Sequence, residues 1–264
     1  MLNNGSKLKH FGFTFKRGGV HNARTIMLDE ITALFSYVNR PEAVKADYKY
    51  AIEEENCLGK RSVKTRKLTY RHLVDLYSLD PAVTIFRALL FFWNRDVSGR
   101  PLLALLCAFS RDSIVRQTAP FILSASEGTA ITRESTEKYI DKQEPGRFSR
   151  ATLASTAQNI NSTWTKSGHL SGRVKKFRSQ AKPTAGSVSF ALLLGYLRGL
   201  RGEGLFNSEY VRLLDCSFNH AVELAEEASR RGWIALKRIG DVIEAQFPNL
   251  LKLCLHCFQL FFIG

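Results

Sequence analysis

The chain has 264 residues, 45% of them hydrophobic and 11% aromatic, with a formal net charge of +14 and a sequence pI near 9.7. Such a composition excludes a disordered chain and suffices for a sizeable core in one or two domains. Its charge points to a polyanion as partner, either nucleic acid or an anionic membrane surface, and carries no information about fold.

Five cysteines (Cys57, Cys107, Cys216, Cys254 and Cys257) are an odd number without framework spacing. No apolar run follows Met1, so the expectation is a reduced, cytoplasmic protein. The apolar runs at 81–93 and 101–109 are interrupted or too short to span a bilayer, and they read as buried helices. The tail, residues 250–264, is nearly all apolar but also shorter than a span, so no stable membrane insertion is expected.

Along the chain, Ile31, Leu34, Phe35 and Val38 have helical spacing, and the pattern resumes over 44–52 after Pro41. Gly59 opens a basic stretch with Lys60, Arg61, Lys64, Arg66, Lys67 and Arg71. Thr69 then reads as the cap of a helix through Leu73, Leu76 and Tyr77. Pro81 begins another helix, the Gly99-Arg100-Pro101 break follows, and 102–109 form a further buried helix. These segments are expected to pack as one N-terminal bundle over 1–125.

Residues 126–182 read differently. A short helix over 132–141 leads to a turn at Glu144-Pro145-Gly146. Ser149 is positioned to cap a long helix to about Lys166, which Gly168 ends. Two short strands around a Ser-Gly turn follow in HLSGRVKKFR. The remaining region, 183–264, holds an apolar helix over 188–197, an element at 209–214, an amphipathic helix over 217–231, and a hairpin around Ile239-Gly240-Asp241. The expected fold is mainly α with small β-hairpins (α+β), a helical bundle carrying a winged helix-turn-helix part.

The functional signal is a gap in the acids. No Asp or Glu occurs between Glu144 and Glu203, while those 58 residues hold ten Lys or Arg. On a helix over 149–166, Leu153, Ala157, Ile160 and Trp164 form one narrow apolar stripe. Ser155, Gln158, Asn159, Ser162 and Lys166 face the other way. Gln and Asn can pair bidentately with adenine and Ser with any base, so this face suits a DNA major groove. Arg147, Arg150 and Lys166 at the helix ends, and Arg173, Lys175, Lys176 and Arg178 on the following hairpin, are positioned for phosphates. The stretch from Lys60 to Lys67 is a second candidate phosphate contact.

At this point the chain resembles the BrxA family of the BREX bacteriophage-exclusion systems. The resemblance lies in GFTFKRGGVHNARTIMLDEITAL, ENCLGKRSVKTRKLTYRHL, INSTWTKSGHLSGRVKKFR, and in Pro183 and the segment from Leu192 to Gly195. It implies a small, mainly helical DNA-binding protein with a winged-helix part, working with other BREX proteins beside a DNA methyltransferase. The apolar end after Leu250 departs from the family pattern.

Signs of chemistry are sparse. There is no phosphate loop, dinucleotide fingerprint or nucleophile elbow. Cys254 and Cys257 form a lone C-x-x-C, and zinc needs about four ligands. Asp241 and Glu244 read as a turn residue and an exposed strand residue rather than a nuclease pair. The expectation is therefore a non-enzymatic duplex-DNA-binding protein without catalytic residues, metal, cofactor or small-molecule substrate. The alternatives are an assembly module of a defence complex, and an RNA-binding or transcription-regulating protein.

Overall fold

The structure, a computed structural model, describes residues 4–240 and 242–251. Helices α1 (Asn4–Phe11), α2 (Leu28–Tyr37), α3 (Lys45–Glu53), α4 (Val63–Tyr77), α5 (Thr84–Trp93), α6 (Arg100–Arg111) and α7 (Ser113–Leu123) come first. Then follow α8 (Arg133–Gln143), α9 (Arg150–Lys166) and a hairpin of β1 (Leu170–Ser171) with β2 (Phe177–Arg178). The last part holds α10 (Ala185–Leu197), the short α11 (Glu203–Phe206) and α12 (Glu209–Arg212), and α13 (Phe218–Arg230). A second hairpin of β3 (Ala235–Ile239) and β4 (Val242–Gln246), then α14 (Pro248–Leu251), complete it. The described residues are thus mainly helical with two small antiparallel hairpins, as the hydrophobic periodicities predict. No helix among the described residues is long and apolar enough to cross a membrane.

At the centre lies α10, which is apolar all round and therefore buried along almost its whole length. It packs against α5, α6, α12 and α13. Its N-terminus is tied to the α5–α6 connection by Asp96, which accepts from the Gly186 amide at 2.9 Å and the Gly99 amide at 3.0 Å. A Cβ at Gly186 would stand 2.5 Å from an Asp96 carboxylate oxygen, so only glycine allows this approach.

Several elements depart from the sequence reading, among them α1 and α11, for which it gave no helix, and two more bear on the candidate site. Helix α4 begins six residues before Thr69, because the Ser62 side chain caps it by accepting from the Thr65 amide at 3.2 Å. Thr69 is a buried interior residue, and much of the first basic patch is helix surface instead of loop. Helix α7 also appears where the sequence suggested none. Asp112 caps it through the Ile114 and Val115 amides, and the helix continues through Pro120.

Residues 113–178 form a distinct succession. After α7, Ala130 makes an isolated antiparallel bridge to Phe177. Helix α8 follows, capped by Thr132, and then α9, capped by Ser149. Thr136 donates to Asn161 Oδ1 at 2.8 Å and so locks α8 to α9. The hairpin β1–β2 returns beside Ala130, giving a small sheet edge beneath α9.

Candidate nucleic-acid interface

Helix α9 seats its apolar stripe as expected: Ala157, Ile160 and Trp164 are fully buried, while Leu153 is only half-buried. Trp164 donates its ring N–H to Thr118 of α7 and meets His169 edge-on. The outward stripe consists of Ala151, Ser155, Gln158 and Ser162, with no carboxylate among them. Gln158 is exposed and Ser162 half-buried.

One side of this stripe is covered by a segment from near the start of the chain. The 3-10 turn Val20–Asn22 lies along α9. Asn159 donates its amide to the His21 carbonyl at 3.0 Å, and the Ser155 hydroxyl reaches the Asn22 carbonyl at 3.4 Å. Asn159 is therefore half-buried and engaged within the protein, which corrects its expected place on the groove-facing surface.

That segment is held by a buried carboxylate that no sequence pattern singles out. Asp112 accepts from the Val20 amide at 2.7 Å and from His21 Nδ1 at 2.9 Å, besides capping α7. Gly19 is required here, because a Cβ would lie 2.1 Å from an Asp112 oxygen. Burial pushes the Asp112 pKa up, but His21 and the converging amides outweigh it and hold the carboxyl below its usual range. His21 Nε2 lies 3.0 Å from the Thr163 hydroxyl of α9, which also accepts from the Ile26 amide. Asp112, His21 and Thr163 follow the order of a base-activated nucleophile. His21 and Thr163 are fully buried, however, so the line acts as a strut between α7, the turn and α9.

Several expected phosphate ligands have partners inside the protein. Arg178 is corrected outright. It is 6% exposed and gives both Nη atoms to Asp215, at 2.8 and 2.7 Å, so it anchors β2 to the α12–α13 connection and leaves the surface. Lys166 pairs with Asp29, Lys60 pairs with Glu30 at 3.1 Å, and Arg147 pairs with Glu144. Arg66 donates to the Glu54 carbonyl and Lys176 to the Gly172 carbonyl. Arg61, Lys64, Lys67, Arg150, Arg173 and Lys175 are exposed and form no ion pair among the described residues. Lys64, Lys67 and Arg71 share one face of α4.

The two basic patches, well separated in the chain, meet at the first turn of α2. Asp29 there holds the end of α9, while the adjacent Glu30 holds the start of the α4 patch. Arg24 adds to the α4 patch: burial pushes the His72 pKa down, and nearby Arg24 and Arg71 push it further. At the hairpin tip Arg173, Val174 and Lys175 all project outward, Val174 being 90% exposed.

No family profile matches the chain, and no curated protein is significantly similar to it.

The other helix-and-hairpin unit is of mixed charge, with Arg230, Arg231, Lys237 and Arg238 beside its carboxylates. Helix α13 bears Glu223, Glu226 and Glu227, and its hairpin tip exposes Ile239 and Val242. Glu244 is exposed and sits opposite Lys237 in the ladder. Asp241 and the Cys254–Cys257 pair lie outside the described residues.

Proposed function

We propose that the protein is a non-enzymatic duplex-DNA-binding protein that places α9 against a groove and rests its first hairpin on the backbone. The observation that carries this reading is the acid-free outward stripe of α9, followed at once by a hairpin tip with Arg173 and Lys175 unpaired among the described residues. The order α7, Ala130, α8, α9, β1, β2, with Ala130 bridging the returning strand, supports a winged helix-turn-helix reading of residues 113–178. In that arrangement the second helix of the pair reads the groove and the hairpin is the wing. Arg150, Arg173 and Lys175 meet phosphates, Lys64 and Lys67 extend the contact, and Gln158 with Ser162 offers modest base readout. Taken with the resemblance to the BrxA family, the reading extends to an accessory role in a BREX phage-defence system in the cytoplasm, alongside other BREX proteins.

Replacing Arg150, Arg173 and Lys175 together by Ala tests the assignment. The slope of log K against log salt should flatten by about 2.7, at about 0.9 for each phosphate no longer neutralised. An unchanged slope would refute the placement of α9 and the wing on DNA. A second reading, contact with a protein partner, is favoured by the exposed Ile239 and Val242 at the other hairpin tip, 82% and 72% exposed.

A further inference from the structure

Beside the N-terminus of α9 lies a surface that the acid-free stretch does not include. Residues 15–17 (Phe15, Lys16 and Arg17) are three consecutive exposed side chains, Phe15 at 46% and Arg17 at 77%. The loop that carries them is fixed at both ends. On one side the Thr14 amide donates to the Ser110 carbonyl at 3.1 Å, and Arg116 donates to the Thr14 carbonyl at 2.8 Å. On the other, Ser113 accepts from the Gly18 amide at 3.1 Å and donates to the Gly18 carbonyl at 2.8 Å. An apolar ring and two cations are therefore presented to solvent on a backbone that has little freedom left to lose on binding.

The surroundings are cationic. The guanidinium carbons of Arg116 and Arg198 stand 5.7 and 5.8 Å from the Phe15 ring centre, and Phe13 stacks on its inner side. Arg17 reaches Glu144 at 2.6 Å, and Glu144 also holds Arg147 just before α9. Glu209 is taken by Arg198. Lys16, Arg17, Arg116, Arg147 and Arg198 thus face the paired Glu144 and Glu209 and, behind Arg116, the buried Asp112, so positive charge remains.

We propose that residues 15–17 form a further backbone contact for the same duplex, with Lys16 and Arg17 on phosphates and Phe15 against a deoxyribose. This rests on the DNA-binding reading above, since the loop adjoins the end of α9 where the backbone passes. An exposed ring beside two guanidiniums matches the mixed apolar and anionic surface of a sugar-phosphate strand.

The test uses the full chain and a labelled random-sequence duplex, with Lys16→Ala/Arg17→Ala compared with wild type across a salt series. The salt slope should flatten by about 1.8, at about 0.9 per phosphate. If the double variant melts early, Lys16→Ala alone carries the test, with a flattening of about 0.9. In Phe15→Trp, duplex should quench an emission component that wild type lacks. Normal wild-type binding with an unchanged variant slope would overturn this contact and leave the α9 reading standing. Failure of wild type itself to bind would overturn both. A flattened slope without quenching would overturn the role of Phe15.

Discussion

Replacing Arg178 by Met distinguishes a wing that grips phosphate from a wing bolted to the body. The Arg178 guanidinium is buried against Asp215, which also accepts from the Ala181 amide at 3.1 Å. Removing one member of a buried pair costs about 3–5 kcal/mol, because the other charge is left without a partner. Asp215 retains 19% exposure, so water solvates part of what remains and the lower end of that range applies. For a chain of this size, a loss of about 3 kcal/mol lowers Tm by roughly 10 °C. Arg178→Met/Asp215→Asn removes both charges and should recover part of the loss, and Asn tolerates the left-handed backbone at Asp215 (φ 58°). Thermal melts followed by circular dichroism measure the first effect. Salt-dependent duplex binding, at a temperature where all variants are folded, measures the second. The structure predicts a large fall in Tm and a wild-type salt slope. An unchanged Tm with a slope flattened by about 0.9 would refute the anchoring role and return Arg178 to the phosphate-facing surface.

Three further outcomes follow from the same geometry. Asp112→Ala strips the cap from α7 and leaves the Val20 amide and His21 ring unpaired, so stability should fall by about 3–5 kcal/mol in urea unfolding, whereas a loss under about 1 kcal/mol would mean that the strut is dispensable. Gly186→Ala should cost roughly 1–3 kcal/mol through the clash with Asp96, and a neutral substitution would contradict the tight approach. His169 is held neutral by burial, which pushes its pKa down to about 4, while Leu213 and Ser167 take its ring nitrogens. The unfolded chain therefore takes up that proton first as pH falls. Stability contributed here is intact above about 6.5 and lost progressively down to about 4. Urea midpoints across that window should rise with pH less steeply in His169→Gln than in wild type, and parallel profiles would contradict the assignment.

What was legible in the sequence was local. Ser149 and the 3.6-residue stripe ending at Trp164 gave α9 almost to the residue, because capping and amphipathicity act within one helix. The first hairpin was legible in outline, although Ser171 pairs with Phe177 in the ladder and the connection runs over 172–176 instead of a Ser-Gly turn, and Thr69 yields to Ser62 as the α4 cap. Helix α7 was hidden by Pro120, which reads as a break. The candidate site was less legible, since its surface is decided by partners far along the chain. Nothing near Arg178 announces Asp215, and nothing near Asn159 announces the turn at His21 that covers it. Charge counting found the basic stretch but could not separate Arg173 and Lys175, which face solvent, from Lys166, which holds Asp29.

The most direct test of the DNA-binding account is fluorescence anisotropy of wild-type protein with a random-sequence duplex, titrated from low to physiological salt. The account predicts tight binding at low salt and a log–log slope of about −2.7 or steeper, from the phosphate contacts of Arg150, Arg173 and Lys175 at about −0.9 each. No binding at low salt, or binding indifferent to salt, would contradict it.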